Sequence, residues 1–117
     1  AQHVNRPRFG IAFSPDHCIL MGETERHGET HTLPIELLES VAPWAKEVYI
    51  ADIAMEDDSH RTVLPGRGQV PLHQTIRFFE SRGFRGFYCF KWEKIWQRNI
   101  EEPEVALPAF IEFMTAQ

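Results

Sequence analysis

A chain of 117 residues can form one domain with a modest core, and its 43% hydrophobic and 12% aromatic content argues against disorder. The net charge of −5, with lysines and arginines dispersed, argues against a nucleic-acid partner. We expect no membrane partner and a cytoplasmic location, because no apolar run approaches the roughly 20 residues of a membrane span and no signal peptide is apparent. Cys18 and Cys89 show no metal-binding spacing and are expected to be reduced core residues.

The first predicted strand is Phe9 to Phe13, FGIAF. Alternation places large apolar side chains on one face and small residues on the other, which is typical of a barrel interior or of close approach by a ligand. Pro15 ends this strand, so Asp16 and His17 follow its carboxyl end. The stretch 22–31, GETERHGETH, is expected to be a polar loop because it has turn residues and no apolar periodicity.

A helix is predicted next, with Thr32 as its N-cap and Pro34 in its first turn. The second strand is predicted at Glu47 to Asp52, with Asp52 at its carboxyl end. The connection from Ile53 to Val70 is long for a compact domain, and long connections are often lids or binding loops.

Two features of that connection favour ligand binding. Arg61 could hold an acidic or phosphate group, and the backbone N–H groups of Gly66 and Gly68 could approach an anion. A plain connecting loop is the alternative, because one Gly-x-Gly pattern is a weak signal.

A second helix is predicted from Leu72 to Arg82, with Gly83 at its C-terminal cap. The third strand is predicted within Phe84 to Trp92. One face of this strand finishes with two charged residues, Lys91 and Glu93. A last helix begins near Pro103.

The resulting order, βαβαβα, predicts an α/β fold with parallel strands, whose carboxyl ends would bring together His17, Asp52, Lys91 and Glu93. Charged groups at these ends are where α/β folds usually build their sites. The alternative is that Lys91 and Glu93 simply pair in solvent.

Several segments resemble the C-terminal part of sugar phosphate isomerases/epimerases with a xylose isomerase-like TIM barrel. They are FGIAFSPDH, VYIAD, RTVLPGRGQVPL, GFRGFYCFKWEKIW and EEPEVALPAFIEFM. The resemblance implies that residues 1–117 are one partial domain, equivalent to the last three βα units of a (β/α)8 barrel. Because a full barrel needs about 250 residues, we expect either a homo-oligomer or the remainder of the barrel as partner.

The resemblance also implies a divalent metal, which the family usually holds at the barrel mouth. Three of the ligand positions look like Ser14, Tyr49 and Lys91 in this chain, and none of these is a usual ligand. We therefore predict no metal or other cofactor. His17, Asp52, Glu93 and Arg61 match positions that commonly face the substrate in this family.

Three functional interpretations remain open at this point. One is an isomerase/epimerase-like site without metal, in which Lys91 stabilises an oxyanion and His17 or Glu93 moves protons, acting on a sugar or sugar phosphate. Another is a site that binds a sugar-like ligand without doing chemistry or serves as an assembly module. In either case the expected substrate-binding residues are Asp52, Arg61, Gly66, Gly68 and Tyr49. The third is that the chain is the C-terminal part of a larger barrel enzyme or an assembly module.

Overall fold

The computed structural model describes residues 10–117, so Phe9 of the predicted first strand lies outside the described residues. The strands are β1 (Ile11–Phe13), β2 (Glu25–His27), β3 (Thr30–Thr32), β4 (Ala45–Ile50), β5 (Asp52–Met55), β6 (His60–Val63) and β7 (Phe87–Phe90). The helices are α1 (Pro15–Leu20), α2 (Ile35–Val41), α3 (Leu72–Ser81) and α4 (Pro103–Thr115).

A parallel sheet in the order β1-β4-β7 is the centre of the fold. β4 lies in the middle, with Phe13 opposite Val48 on one side and Cys89 opposite Tyr49 on the other. Each connection between these strands contains at least one helix, as crossover connections between parallel strands usually do. The predicted parallel α/β architecture is therefore confirmed.

One face of this sheet is packed against helices. Val48 and Ile50 of β4 are completely buried, and the ring of Phe13 lies 6.0 Å from that of Phe79 in α3. On β7, the ring of Phe90 stacks at 4.7 Å on that of Phe110 in α4. These aromatic contacts pack α3 against β1 and α4 against β7.

The opposite face of the sheet is open. Strand alternation directs Tyr49, Phe87 and Cys89 away from the buried side, and Phe87 is 73% exposed. In a closed barrel this face would line the interior, but among residues 10–117 no further strand joins β1, β4 and β7 to close one.

We predicted an irregular polar loop for the segment 22–31. This prediction is wrong, because the segment contains most of the antiparallel hairpin β2–β3. Gly28 takes a left-handed backbone conformation at the turn, with φ of 68°. Both strands are largely exposed, so no apolar alternation marks them in the sequence. Thr32 belongs to β3 rather than capping a helix, and the N-cap of α2 is Pro34.

The long connection from Ile53 to Val70 is also more ordered than expected. It contains most of a second hairpin, β5–β6, in which Asp52 pairs with Val63 and Met55 pairs with His60. Asp52 therefore begins β5 instead of ending the second sheet strand. Pro15 stops β1 as predicted, but it also starts α1, because proline fits the first position of a helix.

Among residues 10–117, no helix combines the length and the apolar character that crossing a membrane would require.

The two cysteines are predicted to differ in reactivity. Cys18 is 6% exposed, and burial together with nearby Glu23 raises the pKa of its thiol to about 11. Cys89 is only partly buried and lies on the open sheet face. A disulfide reagent such as DTNB at pH 8 should therefore modify Cys89 in the folded protein, and Cys18 only on unfolding.

The Cys89→Ser variant isolates Cys18 for this measurement. Rapid labelling of that variant without denaturant would contradict the buried position of Cys18.

Candidate functional site

Lys91, the residue after β7, reaches across the sheet to the beginning of α1. Its Nζ lies 2.9 Å from Oδ2 of Asp16 and 3.3 Å from Nε2 of His17. The same ammonium group lies 5.6 Å from the centre of the Tyr49 ring. Side chains from beyond both edge strands thus meet above the central strand, and we call these four residues the Lys91 cluster.

Local sequence explains this geometry. Pro15 turns the chain from β1 into α1, which places Asp16 in the first helical turn immediately beyond the carboxyl end of β1. The backbone N–H of Lys91 donates to the carbonyl oxygen of Ile50, so the β4–β7 ladder continues to the point where the Lys91 side chain begins. Both partners are thereby fixed by regular backbone structure.

The ion pair between Lys91 and Asp16 is largely buried, with 22% and 8% of the two side chains exposed. Each charge is therefore stabilised mainly by the other, and removing one partner of a buried pair typically costs about 3–5 kcal/mol. Oδ1 of Asp16 is buried and has no hydrogen-bond partner among the described residues. This carboxylate keeps an acceptor position that its contacts with the chain do not use.

A second cluster surrounds Asp52, whose side chain is buried under the loop that follows β6. Its Oδ2 accepts hydrogen bonds from the backbone N–H groups of Gly66 and Gly68, both at 2.9 Å. Its Oδ1 accepts from those of Ile53 and Val70, at 3.0 and 3.1 Å. Burial raises the pKa of Asp52, while the four N–H bonds oppose that rise.

The glycine loop therefore surrounds an anion, as its sequence indicated, but this anion is a carboxylate of the same chain. Gly68 lies so close that an added Cβ would meet both the carboxylate of Asp52 and the carbonyl oxygen of Ile53. Gly66 takes a φ of 88°, which favours glycine. Both glycines are thus explained by the hydrogen bonds and the close packing around Asp52.

The loop between β7 and α4 is held by Lys94. Its Nζ donates to the carbonyl oxygens of Arg98 and Ile100 and lies 3.3 Å from Oε1 of Glu102. Nearby, Nε1 of Trp92 donates to the carbonyl oxygen of Glu101 at 2.9 Å. These hydrogen bonds hold the loop in a defined conformation, in which it forms one side of a cleft.

A polar cleft of about 440 Å³ lies between this loop and β6. Its polar lining residues include His60, Arg61, Thr62, Gln97, Asn99 and Glu101. The hydroxyl group of Thr62 donates to Oε1 of Gln97 at 2.7 Å, which joins the two walls. Arg61 forms an exposed ion pair with Glu56, with 2.9 Å between Nε and Oε1.

The predicted site residues are thus divided among several places. Lys91, His17 and Tyr49 come together, whereas Asp52, Gly66 and Gly68 form the separate buried cluster. Arg61 lies in the cleft, and Glu93 is exposed. The alternative that Lys91 pairs with Glu93 is wrong, because Lys91 pairs with Asp16.

The sequence analysis missed two parts of this arrangement. Asp16 was placed at a strand end, but its pairing with Lys91 was not foreseen, because α1 was not predicted and its first turn sets the direction of that side chain. Gln97 and Asn99 were not singled out, because nothing in the sequence indicated that their loop meets β6. A polar stretch after a strand of an α/β fold is the signal that could have drawn attention to them.

Within residues 10–117, no three side chains of the His, Cys, Asp and Glu types are grouped so that they could hold a metal ion.

Comparisons with known proteins give one informative result. No protein-family model matches the chain, and no curated protein matches it. The chain is similar to the crystal structure of a xylose isomerase domain protein from Planctomyces limnophilus, with a TM-score of 0.67 and 25% sequence identity. The match covers 98% of this chain and 39% of that protein. The chain therefore has a xylose isomerase-like fold and spans about two fifths of the length of this neighbour.

The Asp52 cluster is predicted to be a main determinant of stability. In Asp52→Asn, an NH₂ group replaces one carboxylate oxygen and faces two backbone N–H donors, so we expect the free energy of unfolding to fall by about 3 kcal/mol. Urea denaturation followed by circular dichroism measures this change.

The matched control is Asp57→Asn, a change to an exposed residue in the β5–β6 turn. We expect it to alter stability by less than about 0.5 kcal/mol. Equal effects of the two substitutions would show that the four N–H bonds to Asp52 contribute little.

Proposed function

We propose that this chain is part of a sugar isomerase/epimerase-like barrel and that the Lys91 cluster binds the reacting end of a sugar-like ligand. The observation that carries the proposal is the buried ion pair of Lys91 with Asp16 at the carboxyl end of the parallel sheet. Sites of α/β barrels are built at this end of the strands. The xylose isomerase-like fold of the neighbour supports the same ligand class.

The donor set of the cluster does not suit a divalent metal. Lys91 contributes a cation, and Ser14 and Tyr49 offer only hydroxyl groups at the other positions that the resemblance implies. Hard divalent ions prefer carboxylate and carbonyl oxygens. The one carboxylate in contact with Lys91, that of Asp16, is already paired with the ammonium group. We therefore propose chemistry that uses this ammonium group as the positive charge.

In this proposal Lys91 donates a hydrogen bond to a carbonyl oxygen of the ligand and stabilises the negative charge that develops there. Asp16 pairs with the Lys91 ammonium group at 2.9 Å and holds its direction. His17 is exposed and lies 3.3 Å from the Lys91 ammonium group, where it could take a proton from the carbon beside the carbonyl and return it to the enediolate. Glu93, on the following loop, is a second candidate for this proton transfer.

A second candidate function is ligand binding without chemistry. The observation that favours it is that the Lys91 ammonium group is engaged by Asp16 and His17. An ammonium group held in this way can bind a ligand oxygen, but it is less free to reorient as negative charge develops on that oxygen. Exchange of the ligand's carbon-bound hydrogen with D₂O, followed by NMR, separates the two functions, because only the enzyme would catalyse it.

The open sheet face supports a further part of the proposal. Phe87 is 73% exposed there, and within residues 10–117 neither edge strand pairs with a further strand on its outer side. We propose that this face is covered in the functional assembly, either by further βα units that complete a barrel or by a second copy of the chain. Light scattering of the chain alone distinguishes a defined oligomer from an incomplete barrel that associates irregularly.

The proposed function predicts that ligand binding depends on Lys91. D-fructose and D-fructose 6-phosphate serve as probes, and whichever raises the melting temperature of the wild type should lose this effect in Lys91→Met. The cause would be the loss of the ammonium group that contacts the ligand oxygen. Differential scanning fluorimetry measures the shift.

Two further variants make the result decisive. The double variant Lys91→Met/Asp16→Asn removes both charges together, so it avoids the cost of an unpaired buried carboxylate and should also lack the shift. Lys46→Met changes an exposed lysine of β4 and should keep it. A full shift in the folded double variant would remove Lys91 from the site.

A further inference from the structure

We propose that copies of this chain associate through their outer helices, with α4 of one copy lying in the groove between α2 and α3 of another. The inference is independent of the Lys91 cluster and of any ligand bound there. Its basis is that one chain carries both halves of such a contact. One half is an apolar groove with a cation in its lining, and the other is an apolar helix face with carboxylates beside it.

The groove between α2 and α3 has a volume of about 530 Å³. Its apolar lining comes from Ile35 and Leu38 of α2 and from Phe78 of α3, and Ile35 is 47% exposed. Because both helices belong to the described part of the chain, strands added at the edges of the sheet would not fill the space between them. A partner in this groove would therefore approach from the outer side of the helix layer.

The charge in this groove favours an acidic partner. Arg77 lines the groove, and no Asp or Glu is among its lining residues. Arg77 is exposed and forms no ion pair with any residue in the range 10–117. Beside the groove, the guanidinium group of Arg82 lies 4.5 Å from the centre of the Phe78 ring, and its exposed contact with Glu39 is long, at 4.0 Å. The groove thus offers a cation that contacts within the chain do not neutralise.

The outer face of α4 has the complementary character. Leu107 and Ile111, one helical turn apart, are 51% and 62% exposed. The neighbouring row consists of Glu104, Pro108 and Glu112, which also follow one another at intervals of four residues. α4 contains no lysine or arginine, and neither glutamate forms an ion pair within the described range 10–117. An apolar row beside two unpaired carboxylates is therefore presented to solvent.

The inner face of α4 is already occupied within its own chain. Ala106 is completely buried, and the ring of Phe110 stacks on that of Phe90 in β7. The ring of Phe113 lies 5.4 Å from that of His73 in α3. These contacts hold α4 in place, so its outer face can reach only the groove of another copy.

Charge complementarity selects the groove as the surface that α4 contacts. Docked there, Leu107 and Ile111 would be buried against the apolar lining, and the neighbouring glutamates would approach Arg77. Direct pairing of two α4 helices would instead bring glutamates of both copies together. A contact between two different patches closes when every copy supplies both of them, so we expect a defined oligomer whose smallest closed form is a dimer.

Sedimentation velocity of the complete chain over a range of concentrations measures this association. We expect the dissociation constant of the oligomer to rise about tenfold in Arg77→Glu, because like charges then face each other across the contact. The double variant Glu104→Lys/Glu112→Lys should weaken association in the same way. An equimolar mixture of the two variants should associate again, because opposite charges then meet at each contact between them.

Matched controls reverse charges at exposed residues that belong neither to the groove nor to α4. They are Arg98→Glu and the double variant Glu25→Lys/Glu29→Lys, and both should associate like the wild type. Circular dichroism verifies that each variant is folded.

Three results would overturn the inference. A wild type that remains monomeric, or that associates without a defined oligomer, would show that the groove does not take α4 of a second copy. An oligomer that Arg77→Glu leaves unchanged would place the contact elsewhere, such as at the open edges of the sheet. Folded variants that dissociate but do not associate with each other on mixing would show that Arg77 and the two glutamates do not face one another.

Discussion

The carboxylate of Asp52 and its four backbone hydrogen bonds organise the carboxyl end of the sheet. The bonds come from Ile53 and from the loop that follows β6, so one buried side chain fixes the start of the β5–β6 hairpin and the loop that leads from it into α3. Without this anion, the N–H groups of Ile53 and Val70 would be buried without acceptors, which costs roughly 1–3 kcal/mol each. The glycines follow from the same constraint, because only a residue without a side chain brings its N–H close enough at position 68.

Near this end of the sheet, three cationic side chains each form an ion pair with a carboxylate of the same chain. Asp16 pairs with Lys91, Glu102 pairs with Lys94, and Glu56 pairs with Arg61. These pairs differ in their contribution to stability, because the Lys91 pair is largely buried whereas the Arg61 pair is exposed and screened by water and salt. The buried pair fixes the direction of the Lys91 ammonium group, while the exposed pair contributes little to stability.

The parallel sheet and its main helices could be predicted, because apolar periodicity and proline and glycine positions report burial directly. The β2–β3 and β5–β6 hairpins could not, because much of their surface is exposed and their pairing depends on turns and on hydrogen bonds to distant residues. For the candidate site, strand ends drew attention to His17, Tyr49 and Lys91, and the fold brings these three residues together. Asp52 was also noticed, but only the course of the loop after β6 shows that its carboxylate is occupied by the chain itself.

The Lys91 cluster connects the two edges of an otherwise open sheet. Lys91 follows the edge strand β7, Asp16 follows the edge strand β1, and Tyr49 of the central strand lies beneath the contact. The distance between Lys91 and Asp16 therefore depends on the twist of all three strands. Neighbouring strands on either edge would restrain that twist, so covering the open edges and fixing the geometry of the cluster are the same physical event.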